Sequence, residues 1–188
     1  GEFLITLLSS FAEEESRSIS ENITWAIRHR FAKGEYWMSY SLFLGYQKGV
    51  DGKIVINESE AKIVRFIYML ALEGRCGNDI CGILQNSGIR SPGGSIKWQI
   101  STVESILSNE KYKGDARLQK QFTIDFMTKK MKQNNGEVPQ YYVKNGHSAI
   151  IREDAWAEVQ GLKNKDVQTN HASGSLTNKI ICGNCGGL

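Results

Sequence analysis

Gln99, Ser101, Thr102, Glu104 and Ser105 stand close together and offer amide, hydroxyl and carboxylate groups with one charge among them. Side chains of this kind exchange hydrogen bonds with base edges in the major groove, whereas a merely solvated helix face more often alternates Lys with Glu. Arg90, Lys97, Lys111 and Lys113 flank them and can neutralise phosphates. Between Arg90 and Lys132 nine Lys or Arg stand against four acids, although the whole chain carries only +3. A basic soluble surface would show the same surplus, so charge alone leaves both readings open. Arg28, Arg30 and Lys33 form a second candidate group for phosphate contact. The helix macrodipole favours cations at such a position with or without nucleic acid.

Metal and nucleophile chemistry are less complete. Cys182 and Cys185 have the spacing of one zinc knuckle, but a structural zinc site takes four ligands, usually as two pairs. They make a half-site, expected to be empty in this chain. Cys76 and Cys81 lie at or inside an expected helix, where Cys81 reads as core, and His29, His147 and His171 are scattered. Ser9 and Ser10 sit in a helical pattern without a paired base, so neither reads as a nucleophile. No catalytic residue is assigned.

The elements that must position these groups are mostly helical. Ile80, Ile83 and Leu84 share one face of a short helix that stops at Gly88, and Ile100, Val103 and Leu107 share a face of a second that follows Trp98. A turn-rich segment with Pro92, Gly93 and Gly94 joins them, which outlines a helix-turn-helix. Upstream, Glu2 to Lys33 has neither proline nor glycine, and apolar residues from Leu4 to Phe31 recur at steps of three or four. One helix of about 45 Å fits. Its apolar opening half needs a partner chain or a further domain to cover it.

The stretch from Tyr36 to Gly52 is aromatic and glycine-rich and reads as extended chain and turns, followed by a short strand over Lys53 to Ile56. A helix then begins at Asn57, with Glu60 three residues on completing a capping box and Ile63, Phe66, Ile67 and Leu70 facing the core. Arg117 to Phe126 reads as a strand, Thr128 to Glu137 as a basic loop, and Tyr141 to Lys144 as the strand's hairpin partner. Val167 to Asn178 is polar and without a period, and reads as a connection. The fold class is therefore α+β: mainly α, with small β parts.

A chain of 188 residues with 40% hydrophobic content can bury a core, and no apolar run is long enough to span a bilayer. Four cysteines and no signal peptide indicate a reducing compartment. The absence of an initiating methionine and the stop just after a cysteine motif suggest a piece of something longer.

In order along the chain, Gly45-Tyr46, Asp51-Gly52-Lys53, Glu60-Ala61 with Val64 and Ile67, Ile80 to Pro92, and Trp98 to Gly114 resemble the pattern of the large serine recombinases, the serine integrases and large resolvase-type transposon recombinases. Each piece is weak, but the ordered series is specific. Cys76 and Gln99 depart from residues common in that pattern, which bears on target sequence more than on fold. The resemblance implies a long connecting helix at 1–34, a recombinase DNA-binding domain at 35–114 and the start of a zinc-ribbon domain at 115–188. Asp154 to Leu162 is similar to the helix before that ribbon.

The same resemblance implies a double-stranded DNA attachment site as partner and self-association through the N-terminal helix. Zinc is expected in the full-length parent, with no cofactor in this chain and no membrane partner. It further implies a bacterial or phage-encoded cytoplasmic, nucleoid-associated protein that integrates or excises a mobile element. The serine that attacks DNA would lie in a catalytic domain outside these residues. Two other readings stay open: a stand-alone helix-turn-helix transcription regulator, and a helical protein-interaction module.

Overall fold

The computed structural model describes residues 1–125 and 127–172, with side chains followed through Lys163. Helix α1 runs over Glu2–Ala32 without interruption, as the lack of helix breakers requires. Its end is a Schellman motif: Gly34 N–H donates to Phe31 O and Glu35 N–H to Arg30 O. No residue of α1 is buried, and Phe3, Leu4, Ile5, Leu8, Phe11, Ile19 and Ile23 are exposed along it.

The remaining elements are strands β1 (Tyr46–Lys48) and β2 (Ile54–Ile56), helices α2 (Glu58–Leu72), α3 (Gly77–Asn86) and α4 (Ile100–Ser108), and a 3-10 turn at Glu110–Lys113. Strands β3 (Ala116–Leu118), β4 (Gln121–Asp125), β5 (Lys130–Gln133) and β6 (Tyr141–Val143) precede helix α5 (Glu153–Ala172). The sheets are three antiparallel pairs, β1 with β2, β3 with β6 and β4 with β5. The α+β expectation holds. Among the described residues no helix is long and apolar enough to cross a membrane.

Two compact units form, and they are not consecutive in the chain. One comprises residues 1–39 and 114–147, the other residues 40–113 and the described residues from 148 onwards. This grouping cuts across the three consecutive segments read from the sequence, because α5 packs with α2 and α4.

In the second unit, α2 buries Ala61, Val64, Ile67, Tyr68, Leu70 and Ala71 against Ile80, Cys81 and Leu84 of α3 and Val103, Ile106 and Leu107 of α4. Two expected faces are corrected. On α2, Ile63 and Phe66 are only half-buried: the core side of the helix carries Ala61, Val64, Ile67 and Tyr68, where Gly45 packs close to Ala61 and Val64. On α4, Ile100 is exposed and Ile106 takes its place in the core.

The expected capping box is absent as well. Asn57 makes no cap to the α2 backbone; its side-chain oxygen accepts from Ser59 Oγ, and Glu60 accepts the Gly45 N–H at 2.9 Å. Asn57 N–H returns to Gly45 O. Gly45 has φ +92°, and a Cβ there would stand 2.6 Å from Ile150 Cδ1. Both the backbone conformation and the space demand glycine.

Four tyrosine and phenylalanine rings organise this unit's interior. Phe43 stacks on Tyr112 at 5.1 Å and on Tyr46 at 5.7 Å, and Tyr68 meets Tyr112 edge-on. Each hydroxyl finds a carbonyl: Tyr112 donates to Leu44 O, and Tyr46 to Lys111 O and Ser148 O. Burial pushes the Tyr68 and Tyr112 hydroxyls far above the ordinary phenol range, with the neighbouring tyrosines adding to it.

The first unit corrects the strand reading. Gln119 takes φ +59° and breaks the expected strand into β3 and β4, and Asp125 gathers Met127 N–H, Thr128 N–H and Thr128 Oγ into a tight turn. That turn brings β5 onto β4, so part of the expected basic loop is a strand. Asn134 then returns the chain, so β6 pairs with β3 alone. Nearby, Glu137 pairs with Lys132 at 2.7 Å and accepts the Asn135 N–H, and these partners lower its pKa to about 2.

A depressed carboxylate stabilises the fold above its unfolded value and loses that contribution as pH falls through the folded one. The β4–β5 hairpin should therefore keep this link from neutral pH down past 4.5 and lose it towards about 2. A side-chain carboxyl NMR titration should place the Glu137 midpoint near the lower value.

Candidate nucleic-acid interface

Helix α4 is held at both ends by side chains from its neighbours. Before it, the buried Trp98 indole donates Nε1–H to Ile89 O at 2.8 Å. This acceptor lies just past Gly88, whose φ of +69° closes α3 with the Schellman pair Gly88 N–H to Gln85 O and Ile89 N–H to Leu84 O. At the other end, the last carbonyls of a helix lack intrahelical partners. Tyr68 Oη donates towards Ile106 O and Leu107 O, Gln160 Nε2 donates to Leu107 O at 2.7 Å, and Trp156 Nε1 to Asn109 O. One residue of α2 and two of α5 thus fix where α4 points.

With Val103, Ile106 and Leu107 buried, the opposite face presents Gln99, Ser101, Glu104 and Ser105 to solvent, and Thr102 is half-buried. Gln99, Ser101, Thr102 and Ser105 line a groove of about 490 Å³ together with Lys97, Ser91, Ser95 and Asn109. Leu42 and Phe43 also line it. Glu104 is exposed outside the groove lining.

The connection from α3 to α4 runs from Ser87 to Gln99, longer than the ~3–4 residues of a minimal helix-turn-helix. It is nonetheless built. Ser91 N–H donates to Ser95 O and Gly94 N–H to Ser91 O, both at 2.8 Å. Arg90 Nη1 donates to Gly94 O at 2.9 Å, and Lys97 N–H to Ser95 Oγ. Arg90 braces the loop from outside while Lys97 lines the groove.

The remaining sequence candidates are dispersed. Lys111 holds its ammonium 5.6 Å from the Phe43 ring centre. Lys113 is turned inward: its side chain is 10% exposed, pairs with Glu153 at 3.2 Å and lies over the Trp156 ring. Arg28, Arg30 and Lys33 belong to the other compact unit. There Arg30 pairs with Glu35 at 3.6 Å and covers Trp37, and Arg28 Nε meets the Gln119 side-chain oxygen when that amide turns its nitrogen to Pro139 O.

Cys182 and Cys185 lie outside the described residues, as do residues 173–178 of the expected connection; its first part, 167–172, is helical and continues α5. Among the described residues no group of three or more His, Cys, Asp or Glu is placed to hold a metal. Ser10 Oγ donates back to Thr6 O within α1.

Leu42, Phe43, Ser91, Ser95 and Asn109 were not singled out from sequence, although they line the same groove. The aromatic stretch was visible, but nothing in its spacing shows which ring flanks a helix so far along the chain.

Residues 58–166, from the start of α2 well into α5, match the Recombinase family. That is more than half of the chain. The chain belongs to the Recombinase family.

This recombinase-family chain is similar to a crystal structure of an LSR–DNA complex, LSR denoting large serine recombinase, with 24% identity over 80% of this chain and 42% of that one and a TM-score of 0.51. It is also similar to a structure on the sequence requirements of the Listeria innocua prophage attP site, with 23% identity, coverage of 88% and 62%, and a TM-score of 0.56. At such identities the likeness is one of fold. The chain spans less than two thirds of either neighbour's length. The ordered motifs had pointed to the large serine recombinases, and the family match and the fold agree.

Proposed function

We propose that this recombinase-family chain is a DNA-binding region of a site-specific serine recombinase and reads an attachment site by laying α4 in the major groove. The observation that carries the reading is the groove beside α4, where uncharged donors and acceptors from Gln99, Ser101, Thr102 and Ser105 converge on one rigidly braced face. Hydroxyl and amide groups in that arrangement discriminate base edges. Both neighbouring structures concern recombinase–DNA or attachment-site recognition, which supports the same reading for this chain.

Strand exchange, integration or excision of a mobile element, and the helix-turn-helix use of α3 and α4 are parts of this proposal. So are zinc ligation through Cys182 and Cys185 in a longer protein and self-association through α1. The exposed apolar side chains of α1 support the last of these. They equally suit a stand-alone regulator that dimerises through α1, and a serine catalytic domain upstream in the reading frame would eliminate that alternative.

The test is a duplex selection followed by salt titration. Affinity for a selected duplex should fall with a log–log slope of about −3 if Arg90, Lys97 and Lys111 alone neutralise phosphates, and about −5 if Arg28, Arg30 and Lys33 join them. Thr102→Ala or Ser105→Ala should relax sequence preference about tenfold at one position while leaving that slope unchanged. Binding insensitive to salt, or no selected duplex, would sink the proposal.

A further inference from the structure

We propose that Leu42 is a specificity residue that contacts a thymine C5-methyl group beside the bases read by α4. The inference rests on the DNA-reading proposal and adds to it an apolar contact supplied from outside the helix pair. Leu42 lines the groove whose other lining residues include Gln99, Ser101, Thr102 and Ser105. Its side chain is 70% exposed, yet the residues that follow it are anchored in the interior of the unit.

On one side of it, Phe43 N–H donates to Tyr40 O and the Phe43 ring stacks on Tyr46 and Tyr112. Next along, Leu44 is buried and its carbonyl accepts the Tyr112 hydroxyl, and Gly45 N–H is taken by Glu60. The isobutyl group is thus displayed from a fixed point, not carried on a loose loop.

The chemistry of the groove selects the occupant. Beside the apolar Leu42, Phe43, Pro92 and Ile106 it carries neutral hydroxyls and amides and one ammonium, Lys97, a mixture that suits the edge of a base pair and its phosphate. On such an edge, the thymine methyl is the group that an aliphatic side chain reads, and cytosine, adenine and guanine have nothing equivalent. A leucine held beside hydroxyls and amides therefore adds a thymine preference that hydrogen bonds alone do not supply.

The experiment replaces each thymine of a selected duplex, one at a time, by deoxyuridine, which removes only the methyl. Wild-type protein should lose about fourfold in affinity at one or two positions, the worth of one buried methyl-sized group. Leu42→Ala, checked for an unchanged melting temperature, should bind thymine and deoxyuridine equally at those positions. It should keep the preference that Thr102→Ala relaxes. Uniform tolerance of deoxyuridine by wild type, or an undiminished thymine preference in Leu42→Ala, overturns the assignment while leaving DNA reading by α4 intact. Failure to select any duplex overturns both.

Discussion

Replacing Tyr112 by alanine is expected to lower the unfolding free energy of the second unit by about 3–5 kcal/mol, the range for a large aromatic removed from a packed interior. The ring touches Phe43, Tyr46 and Tyr68, and its own hydroxyl holds Leu44 O. Its carbonyl accepts from Ile150 N–H and Ile151 N–H, so this residue joins the turn after α4 to the segment that leads into α5. Against a typical total of about 5–15 kcal/mol the loss is large.

Tyr112→Phe separates the two contributions. It keeps the stack and leaves Leu44 O without its donor, a cost of about 1–2 kcal/mol. Urea denaturation read by far-ultraviolet circular dichroism should order the three proteins as wild type, phenylalanine variant, alanine variant. Equal stability of wild type and Tyr112→Ala would show that the aromatic cluster does not organise this unit.

The second large effect is expected at Asn134, in the first unit. This side chain is buried and makes four hydrogen bonds: Nδ2 donates to Gln119 O and Val138 O, and Oδ1 accepts from Gly136 N–H and Val138 N–H. Its backbone carbonyl accepts from Gln140 Nε2, and its N–H reaches Lys120 O. Asn134→Ala strips the side-chain bonds and leaves backbone groups unpaired around a small void, a cost of about 2–4 kcal/mol.

The damage should be local to the return between β5 and β6. Hydrogen exchange at Gly136 and Val138 should accelerate strongly, whereas amides of α2 and α4 should keep their protection. Unchanged exchange at both positions would show that the turn is held by its backbone alone.

Long helices and their ends were legible in the sequence because a helix is specified locally. α1 follows from an unbroken run of helix-compatible residues closed by Gly34, and Gly74 and Gly88 mark the ends of α2 and α3 in the same way. The uncharged outer face of α4 was equally legible, since Val103 and Leu107 already assign the inner one. Strand partners were not. A three-residue strand such as β3 or β6 carries almost no periodic signal, and the break at Gln119 depends on a backbone conformation that no residue type announces.

Candidate cations illustrate the same limit. Arg90, Lys97 and Lys113 are alike in sequence, yet one braces a loop, one lines the groove and one is turned inward against Trp156. Likewise Glu60 has the right spacing for a capping box but serves Gly45, because the turn before β1 brings that N–H within reach.

By itself the sequence determined the α+β class, the long first helix, the polar face of α4 and the recombinase-family motifs, all of them features written in spacing along a few neighbouring turns. Only the tertiary structure decided that residues 40–113 and the described residues from 148 onwards form one unit and that Leu42 and Phe43 flank α4. It alone decided that Tyr68, Trp156 and Gln160 close the helix end. Those decisions come from packing between residues far apart in the chain, where side-chain volume and unpaired carbonyls select a partner that local pattern does not encode.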